Sequence, residues 1–280
     1  MDKILIVDGH NLLFQMFYGM PNVIIGKNNK KIQGTLGFIG ALLKIINLIS
    51  PTHVLVLFDS ENREIRNDIY SEYKATRMDF TNMIEEETPF SQLDDIYKAL
   101  DFLNIKYMEV VKYEVDDVIA SYCLKLGCSN EIVISSFDSD FFQLINKNIS
   151  ILRYRGSNTI ICDERYVVSK FGVTPDKYAL FKSLTGDKAD NIKGICRIGV
   201  KTASKLVNEY ENIETLISNI NNIEREVIRN ELKSSVEQLK RNYKLIKLND
   251  IAPIPFEKEQ LIYENKQIKT NDVLTKIGVR

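Results

Sequence analysis

Residues 4–11, ILIVDGHN, decide the reading of this chain. Four apolar residues, three of them β-branched, run without alternation into Asp8 and Gly9. Continuous apolar runs of this length suit strands covered on both faces, as in a parallel sheet. The same pattern recurs at 54–58, 107–111, 132–135 and 149–152. Helical patterns separate the runs, around 34–49, 64–78, 90–103, 114–126 and 139–146. Thr88-Pro89 and Thr174-Pro175 pair an N-cap type with a first-turn proline. Alternating strands and helices predict an α/β fold, a parallel-sheet three-layer core over residues 1–162. Beyond about 163 the strand signal stops, and helices are expected at 164–171, 175–184, 200–209, 212–220 and 224–246. Residues 163–250 are therefore expected to form a helical subdomain, and 251–280 a polar, weakly patterned tail.

The strands end on acids. Asp8 closes the first and Asp59 the second, in VLVLFDS. Glu114, Asp116 and Asp117 follow the third, in KYEVDDVIAS, while Asp138 and Asp140 follow the fourth, in IVISSFDSD. Ligands of open parallel sheets bind outside the carboxyl ends of the strands, so one edge collects these carboxylates. Asp187 and Asp190, in LTGDKADN, join them if the next helices pack over that edge. Taken singly, each acid has a plain structural account as a turn former or a complement to a helix dipole. Together they would repel unless cations compensate. All-oxygen ligation points to Mg²⁺ or Mn²⁺. Two such ions, ~3.5–4 Å apart, clamp both oxygens of an in-line phosphoryl displacement.

The 280 residues carry 37 basic and 38 acidic side chains, for a net charge of −1. Setting aside the nine acids above leaves 29 against 37, a basic surface of +8 around an acidic hole. With two histidines and no tryptophan, histidine-led hydrolysis and His-rich zinc sites find little material. The four cysteines form no CxxC pair and read as buried small hydrophobes of a reducing cytosol. Neither a signal peptide nor a membrane span is expected, because the apolar run at 41–49 is short and interrupted by Lys44 and Asn47.

On a helix over 64–78, Arg66, Tyr70, Tyr73 and Arg77 form one stripe with Lys74 at its shoulder. Guanidinium groups and rings suit the phosphates and bases of a single strand, and an amphipathic helix whose tyrosines cover the core fits the spacing equally. In GICRIGVKTASKL, Gly194 and Gly199 flank a turn, and Lys201 and Thr202 open the next helix. Glycines allow close approach of a phosphate, and helix N-termini offer free N–H groups.

These motifs together resemble the 5′ nuclease family, which includes flap endonucleases and the 5′→3′ exonuclease domain of bacterial DNA polymerase I. The resemblance covers about residues 3–250, through VDGHN, FDS, YKATR (73–77), YEVDD (113–117), SFDSD (136–140), LTGDKADNIKG and GICRIGVKTA. It implies a PIN-like core with a helical arch about 64–90 and a helix-hairpin-helix at 194–203. By position, Asp8, Asp59, Glu114, Asp116, Asp138 and Asp140 would hold metals, and Asp117, Asp187 and Asp190 would complete the cluster. Lys74 and Arg77 would meet the scissile phosphate, and Tyr73 would stack on a nucleotide. The hairpin would grip duplex DNA and bind K⁺. No polymerase domain follows, so the chain resembles the stand-alone bacterial form, expected to be cytoplasmic and monomeric.

Three departures stand out. Gln15 occupies a position where the family usually has arginine, Phe137 and Ser139 flank Asp138 where a small and a basic residue are usual, and Lys193 replaces a common proline. They raise a second reading, a paralogue that holds branched DNA without cutting it. A haloacid-dehalogenase-type phosphatase would want an aspartate at position 10, which is histidine, and a small ribonuclease with a related core would not need the hairpin.

Overall fold

The computed structural model describes residues 1–60, 69–70, 72–75, 80 and 83–280. Its centre is a six-stranded sheet: β1 (Lys3–Asp8), β2 (His53–Asp59), β3 (Lys106–Val110), β4 (Glu131–Ser135), β5 (Ile149–Arg153) and β6 (Ile160–Cys162). The order is β3-β2-β1-β4-β5-β6, parallel except for β6. From β1 the chain builds outward through β2 and β3, then crosses to the other side of β1 to lay down β4. The crevice at that reversal opens between the carboxyl ends of β1 and β4, where open α/β sheets bind ligands.

Successive residues of each strand face opposite ways, and both faces of β1, β2, β4 and β5 are largely buried, whereas the edge strands β3 and β6 are mostly exposed. On one side Leu5, Val7, Val56 and Phe58 pack against α1 (Gly9–Gly19), α2 (Gln33–Ile49), α3 (Leu93–Phe102) and α11 (Thr270–Lys276). On the other, Ile4, Ile6, Leu55, Leu57 and Ile134 meet α4 (Val115–Leu126) and the C-terminal helices. Those are α5 (Glu164–Phe171), α6 (Tyr178–Thr185), α7 (Val200–Glu209), α8 (Ile213–Ser218), α9 (Glu226–Ser234) and α10 (Val236–Ile246). The fold is thus a three-layer α/β core continued by a helical C-terminal region.

Several expectations are corrected. α1 lies where no helix was expected, because Asp8 both ends β1 and caps the helix, its Oδ1 accepting the Asn11 N–H at 3.1 Å. Residues 140–144 form a 3₁₀ turn instead of a longer helix. The helix expected at 224–246 breaks at Ser235 into α9 and α10. Of the helix expected at 64–78, residues 72–75 are a turn, with Lys74 left-handed at φ 57°. The two X-Pro starts open 3₁₀ turns with no side-chain cap. A short hairpin, β7 (Gly186–Asp187) with β8 (Ile192–Lys193), interrupts the helical region. Gly186 has φ 83°, and a Cβ there would collide with the Gly194 backbone, so this crossing admits only glycine. The tail is not loose: Val273 and Leu274 of α11 are fully buried beneath the sheet. Cys123 and Cys162 are buried as expected, whereas Cys128 and Cys196 are exposed, and all four are free thiols. Among the described residues, no helix is long and apolar enough to cross a membrane.

Candidate active site

Asp8 sits at the crevice floor. Its Oδ2 accepts the Ser136 hydroxyl at 2.9 Å, which joins the ends of β1 and β4. Burial raises its pKa to about 7, and the charges of Asp59 and Asp138 add to the rise against the hydrogen bonds from Asn11 and Ser136. Asp59, one strand over, accepts the Val115 N–H at 3.1 Å, so the open end of α4 points at it. Glu114 is the N-cap residue of α4, and Asp116 lies in its first turn. Burial raises Asp116 well above the usual carboxylate range, Asp138 and Glu114 raise it further, and Lys74 opposes them.

The loop after β4 is fixed from several sides. Asn11 Oδ1 accepts the Phe137 N–H at 3.0 Å, Arg153 Nη2 donates to the Phe137 carbonyl at 2.9 Å, and Ser136 Oγ accepts the Asp138 N–H at 3.0 Å. Asp138 Oδ1 in turn accepts the Asp140 N–H at 2.8 Å. Asp140, Asp187 and Asp190 each bring an oxygen within 4.8 Å of the others. The β7–β8 hairpin therefore carries the last two acids onto the sheet edge. Asp117 is buried at the same edge, but its Oδ1 accepts the Asn249 N–H at 2.9 Å and so ties α4 to the segment after α10.

Two lysines enter this acidic ground. Lys74 donates to Glu114 Oε2 at 3.0 Å, and its backbone N–H donates to the Asp190 carbonyl at 3.0 Å. Burial lowers its pKa, but Glu114, Tyr73, Asp116 and Asp190 outweigh that and hold it above the ordinary lysine value. Lys182 on α6 is the functional candidate that sequence reasoning missed. Its Nζ contacts Asp140, Asp187 at 2.5 Å and the Ser139 hydroxyl at 3.0 Å. Burial lowers its pKa too, and Asp140, Asp138 and Asp187 more than reverse the effect. The positive charge absent at Ser139 thus arrives from another helix. Within FKSLTGDK no spacing marks Lys182, which reads as one more helical lysine.

Tyr73 does not fit nucleotide stacking. Its ring is 5% exposed among Ala179, Ile192, Leu245 and Ile246, the Lys74 ammonium lies 4.7 Å from its centroid, and its hydroxyl is 3.4 Å from Glu114 and 3.5 Å from Asp190. The core-covering account of that tyrosine holds. Arg66 and Arg77 lie outside the described residues. Gln15 donates to the Tyr154 carbonyl at 2.6 Å. In the glycine hairpin, Ile195 and Ile198 anchor inward, while Gly199 caps α7 without a side chain. Gly194 packs on the Thr185 backbone, Lys201 is exposed and Thr202 half-buried.

The donor set is all oxygen. Burial pushes Asp8 and Asp140 up to about 7, the latter against the pull of Lys182, and a divalent cation beside them would favour their charged forms. The residues fit a hard cation.

Matches to known proteins agree with this geometry. Residues 3–172 match the 5′-3′ exonuclease N-terminal resolvase-like domain, and residues 173–269 match the 5′-3′ exonuclease C-terminal SAM fold. The chain belongs to the 5′-3′ exonuclease family. Within it, the 5′-3′ exonuclease of Buchnera aphidicola subsp. Acyrthosiphon pisum is 31% identical over 270 residues, covering 93% of this chain and 91% of that protein. DNA polymerase I of Thermus aquaticus is 31% identical over 253 residues, 90% of this chain. The chain spans about a third of the length of the DNA polymerase I relatives it matches. The T5 D15 protein, co-crystallised with metal ions, superposes with a TM-score of 0.72 at 23% identity, covering 98% of this chain and 99% of that one. The catalytic core of Rad2 in complex with DNA substrate gives 0.58 at 16%, covering 99% and 93%. At those identities the likeness is one of fold.

Proposed function

We propose that this family member is a structure-specific 5′→3′ exonuclease and flap endonuclease that hydrolyses DNA phosphodiester bonds with divalent cations. One observation carries the reading: carboxylates from β1, β2, α4, the loop after β4 and the β7–β8 hairpin converge on the crevice at the sheet's reversal. Asp8, Asp59, Glu114, Asp116, Asp138, Asp140, Asp187 and Asp190 would hold the ions, with Asp117 bracing α4 beside them. Two ions, their identity as Mg²⁺ or Mn²⁺, K⁺ at the glycine hairpin and a monomeric chain all belong to this proposal. When bound, divalent ions lower the pKa of water and stabilise charge on a leaving oxygen.

The chain's own groups do the rest. Lys74 is paired with Glu114 and held in a left-handed turn whose amide bonds the Asp190 carbonyl, so it is positioned before substrate arrives. Were Glu114 to hold a cation, the Lys74 ammonium would be freed to meet the scissile phosphate and neutralise charge developing there. Arg77 would act beside it. The exposed first turn of α7, with Gly194, Gly199, Lys201 and Thr202, would hold the duplex backbone by its phosphates, which positions the substrate without reading its sequence.

The test is a 5′-flap DNA labelled at its 5′ end, incubated with Mg²⁺, Mn²⁺ or EDTA. An Asp116→Ala plus Asp140→Ala variant runs alongside to exclude a contaminating nuclease. Metal-dependent release of a short product that the variant does not give is expected. Tight flap binding with no product in either metal would instead support the second reading, a branched-DNA-binding paralogue. Gln15 favours that alternative, since its neutral amide is bonded to the Tyr154 carbonyl and offers a phosphate no charge.

A further inference from the structure

The loop carrying Asp138 has a second cation on its outer side. The Arg155 guanidinium lies 4.8 Å from the centroid of the Phe137 ring, one residue before Asp138. The backbone beneath it is fixed, because the Tyr154 carbonyl accepts Gln15 Nε2 at 2.6 Å and the Arg155 N–H donates to Thr159 Oγ1 at 3.0 Å. Phe137 is fixed as well: Asn11 holds its N–H, Arg153 holds its carbonyl, and the Arg153 guanidinium leans on the neighbouring Phe142 ring at 4.6 Å. Asn11 and Gln15 stand one turn apart on the same face of α1, so helix, aspartate loop and β5–β6 turn are knitted together at the crevice rim.

Arg153 is half-buried and structural, but Arg155 is exposed, and among the described residues no carboxylate pairs with it. With no carboxylate partner among the described residues, this guanidinium is held on a ring one residue from Asp138. Stacking spares the ordering entropy of a long side chain, and its planar fork suits two oxygens of one phosphate. The neighbouring acids repel a phosphodiester, so an approaching strand needs a positive contact outside the cluster.

We propose that Arg155, laid on Phe137, is a binding residue that meets a phosphate of the single strand as it enters the crevice beside Asp138. This rests on the reading that the site takes a DNA phosphodiester.

The experiment measures binding of a fluorescent 5′-flap DNA to the full chain in Ca²⁺, by anisotropy across a salt series, for wild type, Arg155→Gln, Arg155→Lys, Phe137→Leu and Arg280→Gln. Arg155→Gln is expected to weaken binding about tenfold or more and to reduce the slope of log affinity against log salt by about one. Arg155→Lys should keep the slope while losing affinity, and Phe137→Leu should lose affinity by freeing the guanidinium. Arg280→Gln, remote on the C-terminal residue, should match wild type. If Arg155→Gln stays within about twofold of a wild type that binds the flap, with the same salt slope, the role of Arg155 is overturned while the nuclease reading stands. If wild type itself fails to bind flap DNA, the underlying reading falls and takes this inference with it.

Discussion

Asp8 shows how one side chain couples the fold to its chemistry. It ends a strand, caps a helix and joins two strand ends, yet burial disfavours its charge. Its folded pKa, about 7, lies above the ordinary 3.8, so the native state holds the proton more tightly than the unfolded chain. Without metal, stability is therefore fullest below about pH 4 for this group and is lost as pH rises through about 7. Asp8→Asn should raise the melting temperature in EDTA at pH 8 and make little difference at pH 5, while abolishing cleavage. A lower melting temperature at pH 8 would refute this account. Lys182 tests the opposite sign. Lys182→Met leaves Asp140 and Asp187 without their buried partner, which should cost about 3 kcal/mol or more in EDTA, with part regained in Mg²⁺, as read from urea midpoints.

At the level of elements, α10 holds the β7–β8 hairpin, and with it Asp187 and Asp190, over the sheet edge. Asn242, fully buried, donates to the Ser183 carbonyl at 3.0 Å and the Lys193 carbonyl at 2.8 Å, and Gln238 donates to the Lys193 and Gly194 carbonyls. Gln143 links the same helix to the aspartate loop, donating to the Asp140 and Ile246 carbonyls and accepting the Leu248 N–H. Asn242→Ala should destabilise the chain by about 1–3 kcal/mol and reduce cleavage further than the unfolded fraction explains, because two carbonyls lose their donor and the hairpin its support. Equal losses of stability and of folded-state activity would argue against the positioning. α11 is a packing element: Leu274→Ala should cost about 2–5 kcal/mol in denaturant unfolding with the kcat of the folded fraction unchanged.

At the scale of the whole molecule, setting aside the nine acids proposed for the site leaves 37 basic against 29 acidic residues, so a cation and a polyanion would act on different regions. If Asp8 and Asp140 ligate the proposed divalent ions, binding requires both unprotonated, and burial pushes both up to about 7. A fixed Mg²⁺ concentration should therefore raise the melting temperature more at pH 8 than at pH 6. A pH-independent increment would mean that the ion binds elsewhere.

Strands β1 to β5, the layer architecture and the acids that end the strands were legible in the chain itself, whereas β6 and the β7–β8 hairpin were not. Apolar periodicity reports which faces are buried, and parallel topology sends every strand's carboxyl end to one edge. Asp8, Asp59, Asp138 and Asp140 needed only that rule. Helices starting on a strand's last residue, the break at Ser235 and the buried α11 escaped, because caps shared between elements and short apolar spacings leave faint local patterns. The roles of Lys182, Asn242 and Gln143, the burial of Tyr73 and the meeting of Arg155 with Phe137 were decided only by the tertiary structure. Each depends on at least one partner more than 15 positions away, and a polar side chain in a sequence carries no mark of the partner that folding will bring to it.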